Sequence, residues 1–240
     1  MNNLHILTPV KDSLESSLKT IKSIMDSEVT VKFSYTVYND FSSDTTTEAL
    51  TKSSEMLGFT LVNLKEITLH PSPNYLLILQ IAQQRANFEN AHLLIIESDV
   101  TVEKDTIQRM YDSVSGLENP GMIASVTTDQ NHKVNFPYSY ARRIHPGMIN
   151  TKKKLRFCCT MLTSSFLTAY NFDTLNPEST WHDQYISQKS LELGFKNYLL
   201  TSVPVIHIQN SIYPWSHLKI SQPFKYYWKK ITGIFSFSIN

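Results

Sequence analysis

Residues 91–100, AHLLIIESDV, constrain this chain more than any other stretch. The run His92, Leu93, Leu94, Ile95, Ile96 is too continuously apolar to alternate between a wet and a dry face. It predicts a short strand buried on both sides, as in the middle of a parallel sheet. The run stops abruptly at two carboxylates, Glu97 and Asp99. In open α/β sheets the ligand crevice lies beyond the carboxyl ends of the strands, so an acidic pair there can coordinate a hard cation through oxygen. A solvated loop that caps the next helix explains the same two residues equally well.

The flanking chain alternates strand-like and helix-like patterns. Leu4–Val10 predicts a first strand ended by Thr8 and Pro9, and Leu14, Leu18, Ile21 and Met25 then recur at helical spacing behind Asp12 and Glu15, which resemble a capping box. Residues 29–38 alternate as a second strand, whose exit is the polar run Asn39, Asp40, Phe41, Ser42, Ser43, Asp44, and a second helix stops near Gly58. Residues 59–64 predict a third strand and 74–88 a helix apolar on most sides. Beyond the central strand, Ile107, Met110, Tyr111 and Val114 fall at i, i+3, i+4 and i+7, an amphipathic helix, and 122–126 read as another strand. Strands alternating with helices predict an α/β fold with a doubly wound, mostly parallel sheet flanked by helices.

From 127 to 157 the pattern decays into a polar, aromatic and basic region with Tyr138, Tyr140, Arg142, Arg143, His145 and Lys152, Lys153, Lys154. Such a stretch is a long loop or small subdomain, and it serves either as a binding loop or as plain solvated surface. Residues 157–167 return to the core. Thr180, Trp181, His182 and Asp183 introduce a helix that Gly194 ends, and 198–207 hold one or two further strands. The last segment, 218–240, mixes Lys219, Lys225, Lys229 and Lys230 with Phe224, Tyr226, Tyr227 and Trp228. It reads either as a helix packed on the side of the domain or as a basic-aromatic tail resting on an anionic membrane surface.

Charge balance narrows the function classes: 22 Lys and Arg against 21 Asp and Glu leave no global field for nucleic acid. The first ten residues lack the basic and apolar regions of a signal peptide, and no apolar run reaches the roughly 18 residues that span a bilayer, so a cytoplasmic location is expected. Cys158 and Cys159 are adjacent, which disfavours an ordinary disulfide between them and fits a reducing compartment; both read as core thiols.

Taken in order, four elements resemble the family-two glycosyltransferases, whose fold is the GT-A type. His5, Ile6, Leu7, Thr8, Pro9, Val10 is similar to the family's first strand and its nucleotide-contacting turn. Asn39 to Thr45 resembles the exit of the second strand, where Asp40 corresponds to the acid that contacts the base. Glu97, Ser98 and Asp99 stand where the family carries its Asp-x-Asp metal motif, with Glu in place of the first Asp. His182, Asp183, Gln184 and Tyr185, followed by Leu193, Gly194 and Phe195, resemble the late acidic motif, with His182 in place of its usual Glu, and Val205, Ile206, His207 resemble the segment whose histidine follows. The resemblance runs from Asn3 to Ser211.

What the resemblance implies is an inverting glycosyltransferase. It would use a nucleotide diphosphate sugar, UDP-linked, and Mn²⁺ or Mg²⁺, and would act on a hydroxyl of a glycan or lipid-linked acceptor in surface polysaccharide synthesis. Residues 1–217 then form the GT-A domain, with 1–126 binding the nucleotide sugar and 127–217 carrying the variable acceptor side and catalysis, and 218–240 form the C-terminal tail, a possible peripheral membrane contact. Thr8, Pro9, Val10, Asp40, Glu97, Ser98 and Asp99 would bind the donor, Asp99 and His207 the metal, and Asp183 would be the general base. His207 also reads as a hydrogen-bonded structural residue, and Asp183 as the completing acid of a capping box begun by Thr180. Two other classes compete. A nucleotidyltransferase shares the sheet but needs a Gly-rich basic loop that Pro9, Val10, Lys11, Asp12, Ser13 do not supply, and a non-catalytic nucleotide-sugar or glycan-binding module accommodates His182 and Glu97.

Overall fold

A computed structural model describes residues 3–179 and 181–208. Thr180 and the basic-aromatic tail 218–240 lie outside the described residues. The strands are β1 (Leu4–Val10), β2 (Phe33–Asn39), β3 (Thr60–Asn63), β4 (His92–Ile96), β5 (Val100–Thr101), β6 (Pro120–Thr128), β7 (Met148–Asn150), β8 (Cys159–Leu162) and β9 (Lys196–His207). The helices are α1 (Leu14–Met25), α2 (Asp44–Leu57), α3 (Tyr75–Glu89), α4 (Thr106–Ser113), α5 (Ser164–Ala169) and α6 (His182–Glu192).

The strands form one sheet in the order β3-β2-β1-β4-β8-β6-β9-β5, with β7 also paired to β9. β3, β2, β1 and β4 run parallel; β8 enters antiparallel between β4 and β6, and β9 runs parallel to β6. The sheet is therefore mostly parallel, interrupted by β8 and edged by the short antiparallel β5 and β7.

The central strand is buried as its composition requires. Leu93, Leu94, Ile95 and Ile96 are fully enclosed, each contributing roughly 1.5–3 kcal/mol of burial. Because side chains alternate along a strand, the four divide between two cores. Leu94 and Ile96 join Ile21 and Ile24 of α1, Leu50 of α2, and Ile107 and Met110 of α4. Leu93 and Ile95 join Ile78, Leu79, Ala82 and Ala86 of α3, Phe166 and Leu167 of α5, and Ile186 of α6. Helices thus cover both faces. Gly121 in β6 sits so close under α6 that a Cβ there would fall 2.1 Å from Ser190 Oγ and 2.8 Å from Phe195 Cβ.

Some local expectations change. β2 starts at Phe33 rather than 29, because its partner β1 begins at Leu4, directly opposite Phe33. No capping box opens α1: Ser13 is the N-cap, in the left-handed region with φ 51°, and makes no side-chain cap bond. Asp12 Oδ1 instead accepts from Ser43 N at 2.8 Å, tying the exit of β1 to the start of α2. The 127–157 region is no free loop either, since β7 within it pairs with β9 and Tyr138 is buried, its hydroxyl bridging Arg156 N (2.9 Å) and Arg156 O (3.1 Å).

Candidate active site

The parallel strands β2, β1 and β4 end on one edge of the sheet, and the acidic turn after β4 lies there. Glu97 N donates to Cys158 O at 2.9 Å, and Val100 N to Glu97 O at 3.1 Å. β5 then pairs Val100 with His207, and Ile208 N donates to Asp99 O at 3.0 Å. The turn is thereby pinned on one side to the residue before β8 and on the other to the end of β9. One atom each of Glu97, Cys158 and His207 lie within 4.8 Å of one another. Asp99 Oδ2 is 3.5 Å from His207 Nε2.

His207 is held like a ligand. Its side chain is 3% exposed, and Nδ1 stands 3.1 Å from Phe136 O, an arrangement in which Nδ1 carries the proton and Nε2 keeps its lone pair. Nε2 makes no hydrogen bond, being too far from Asp99 for one of normal strength. Burial alone would lower the His207 pKa, but the Asp99 and Glu97 carboxylates and the Phe136 carbonyl outweigh it and raise it. Burial pushes Glu97 up to about 7, helped by the negative charges of Asp99 and Asp183 and opposed by His207. Burial likewise pushes the Cys158 thiol well above its usual range, with Glu97 and Asp99 adding to the effect.

Asp183 lies in the first turn of α6. Oδ2 accepts from Arg156 Nε at 2.8 Å and Oδ1 from Gln184 N at 2.7 Å. The N-cap is Trp181, without a side-chain cap bond, and Thr180, which would begin a capping box with Asp183, lies outside the described residues. Burial raises its pKa, partly offset by the Arg156 guanidinium, which also rests 4.8 Å from the centre of the Trp181 ring. His182 is buried, and its Nδ1 finds no hydrogen-bond partner among the described residues.

The structure therefore brings Glu97, Asp99, His207 and Asp183 into one electrostatic cluster, with Ser98 between the two acids. Thr8, Pro9, Val10 and Asp40 stand beside it on the neighbouring strand ends. Thr8 is buried and its hydroxyl accepts from Tyr35 at 3.0 Å; Val10 is a core residue whose carbonyl accepts from Asp40 N at 2.8 Å, leaving Pro9 the partly exposed member. Asp40, two strands from Glu97 and so roughly 10 Å away along the edge, is spoken for on both oxygens. Ser72 Oγ (2.8 Å) and Asn74 N (2.9 Å) donate to Oδ2 and Asn74 Nδ2 (2.7 Å) to Oδ1. Cys158 and Arg156 were not expected in the site; the only sequence signal was their position where 157–167 returns to the core.

The donor set suits a divalent cation. Glu97, Asp99 and Asp183 concentrate negative charge that Arg156 only partly balances, and the buried His207 Nε2 faces them, 3.5 Å from Asp99 Oδ2. Asp99, Glu97 and His207 are the residues that would hold such an ion.

The chain matches no protein-family model and no curated protein sequence. It is similar in structure to a mannosyltransferase from Pyrobaculum calidifontis in complex with GDP-Man and Mn²⁺, at 12% identity and a TM-score of 0.65, covering 96% of this chain and 64% of that one. A second similar structure is S. aureus TarS residues 1–349 with UDP-GlcNAc, at 15% identity and TM-score 0.64, covering 87% and 59%. A third is GalNAc-T7 with UDP, GalNAc and Mn²⁺, at 10% identity and TM-score 0.64, covering 88% and 44%. The chain spans about three fifths of the length of the first two. A mostly parallel sheet with helices on both faces, shared with these proteins, gives this chain the GT-A glycosyltransferase fold.

Proposed function

We propose that this chain is an inverting glycosyltransferase that transfers a sugar from a nucleotide diphosphate, UDP-linked, to a hydroxyl of a glycan or lipid-linked acceptor. The observation that carries the reading is the convergence of Glu97, Asp99, His207 and Asp183 at the strand ends of a GT-A fold. In these roles the donor diphosphate lies against the β1 and β4 exits, and Asp183 faces the acceptor. A divalent ion, Mn²⁺ or Mg²⁺, when bound by Asp99 and His207, supplies the positive charge that neutralises the departing diphosphate.

Asp183 takes the proton of the acceptor hydroxyl as that oxygen bonds to the anomeric carbon, and the diphosphate leaves with the electron pair of the broken C–O bond. Two features support this role. Burial makes Asp183 more basic than a solvated aspartate, and the Arg156 and Gln184 bonds fix its orientation. Residues 127–157, within which Tyr138 holds the Arg156 backbone, would shape the acceptor side.

The test is release of the nucleoside diphosphate from a panel of UDP- and GDP-sugars, with Mn²⁺, with Mg²⁺ and with a chelator, and the product anomer read by NMR. Metal-dependent turnover with an inverted anomer is expected. Donors that bind and raise the melting temperature but never turn over, across acceptors, would show a binding module instead.

A further inference from the structure

We propose that Cys158 Sγ is a ligand of the same divalent ion, which makes the site a mixed carboxylate, imidazole and thiolate centre selective for a thiophilic ion such as Zn²⁺ or Co²⁺ over Mg²⁺. The proposal deepens the transferase reading and rests on it for the use of the ion, but not for its binding.

Geometry carries it. The ligand atoms of Glu97, Cys158 and His207 already lie within 4.8 Å of one another. Around zinc, with Zn–S about 2.3 Å and Zn–N about 2.0 Å, ligand atoms stand roughly 3.5 Å apart, so small side-chain adjustments would close the set. Independently, His207 Nε2 is buried without a hydrogen-bond partner, 3.5 Å from Asp99 Oδ2, while Nδ1 is engaged by the Phe136 carbonyl. The two loops that present the ligands are pre-joined by the Glu97 N to Cys158 O bond, so a bound ion need not gather them.

The contrast between the two adjacent cysteines points the same way. Cys159 Sγ lies 3.6 Å from Met110 Sδ within the apolar layer, the setting of an ordinary core thiol. Cys158 lies in the same layer, but its sulfur also stands within 4.8 Å of a Glu97 carboxylate oxygen and a His207 ring nitrogen. Thiolate selects zinc-like ions, whereas Mg²⁺ demands near-octahedral oxygen. As the sulfur–metal bond forms, the thiol proton leaves to solvent.

The experiment titrates the full chain with Co²⁺, without any donor. The expected result is a near-ultraviolet thiolate-to-cobalt absorption band that is kept in Cys159→Ser and lost in Cys158→Ser. Competition with Zn²⁺ should show Cys158→Ser binding it more than about 100-fold more weakly, beyond the roughly 10- to 100-fold cost of losing an outer-shell partner, while Mn²⁺ affinity moves less than threefold. Should the Cys158→Ser chain not fold, Cys158→Ala and the spectra of the wild type and Cys159→Ser decide. Co²⁺ bound with no thiolate band, or unchanged Zn²⁺ affinity in the Cys158 variant, overturns the proposal and leaves the transferase reading standing. A thiolate band in a protein that turns over no donor sustains the Cys158 site and removes the transferase reading.

Discussion

Arg156 Nε donates to Asp183 Oδ2 at 2.8 Å, and the two side chains are 21% and 15% exposed, so the pair is sheltered from most of the screening that weakens surface ion pairs. The guanidinium also fixes the carboxylate of the proposed base.

Two substitutions separate these roles. Asp183→Asn keeps the shape and an acceptor for Gln184 N but cannot take a proton. Turnover should fall by about 10² to 10⁴, some 3 to 5 kcal/mol in the barrier, while stability drops only about 1 to 3 kcal/mol because the new amide N–H faces the Arg156 Nε–H. Arg156→Gln removes the cation that lowers the Asp183 pKa, so the acid limb of the rate profile should move to higher pH. Stability should drop on the order of 2 kcal/mol, less than for a fully buried pair. A variant Asp183→Asn that melts early and turns over normally would make Asp183 a structural residue.

Asp99→Asn addresses the metal. Replacing the carboxylate removes a ligand, and in the apo protein it removes both a charge that raises Glu97 and one that favours charged His207, effects of opposite sign on stability. Calorimetric titration with UDP should show tighter binding with Mn²⁺ for the wild type and no metal enhancement for the variant. Equal affinities with and without metal in both proteins would exclude Asp99 as a ligand.

How far the residue pattern reaches is clear from particular elements. β4 and its acidic exit could be read directly, since a continuously apolar run has few places to go in an α/β sheet, and the two helical layers follow from periodicity. Cys158 and Arg156 could not. Their place beside Glu97 depends on β8 entering antiparallel between β4 and β6, and local periodicity carries no information on strand order or direction. β5 and β7, of two and three residues, are too short to form a pattern. Asp12 misled because its capping-box spacing is met, while its positive φ of 54° turns the carboxylate toward Ser43.

Asp40 offers a sharper distinction than its position alone suggests. Its acceptor-only carboxylate faces three donors from Ser72 and Asn74. Asp40→Asn turns an amide N–H toward one of them, which should cost about 1 to 3 kcal/mol and loosen the segment ahead of α3. The loss should be measurable by denaturant unfolding without any nucleotide. Unchanged stability with weakened UDP binding would instead give Asp40 a purely ligand-facing role.

The last expectation concerns acid. His92 Nδ1 accepts from Ser164 N at 2.9 Å, at the first residue of α5, so the ring is neutral with its proton on Nε2. Burial lowers its pKa below 6.5, and His5 and His182 are lowered for the same leading reason. A histidine with a depressed folded pKa binds fewer protons folded than unfolded, so its contribution is fully present above the unfolded value and is lost as pH falls below about 6.5. For His92 the loss has a specific cause, since a proton on Nδ1 would confront the Ser164 N–H and remove an acceptor from the helix start. Glu97, raised to about 7, and His207, also raised, gain stability over the same fall in pH, so the His92 contribution is read as a difference between two proteins. His92→Asn keeps an acceptor near the Nδ1 position and does not titrate, so the melting temperature of the wild type relative to this variant should fall between pH 7 and pH 5.5, with His5 and His182 contributing equally to both. Identical slopes for the two proteins would show that the acid sensitivity arises elsewhere.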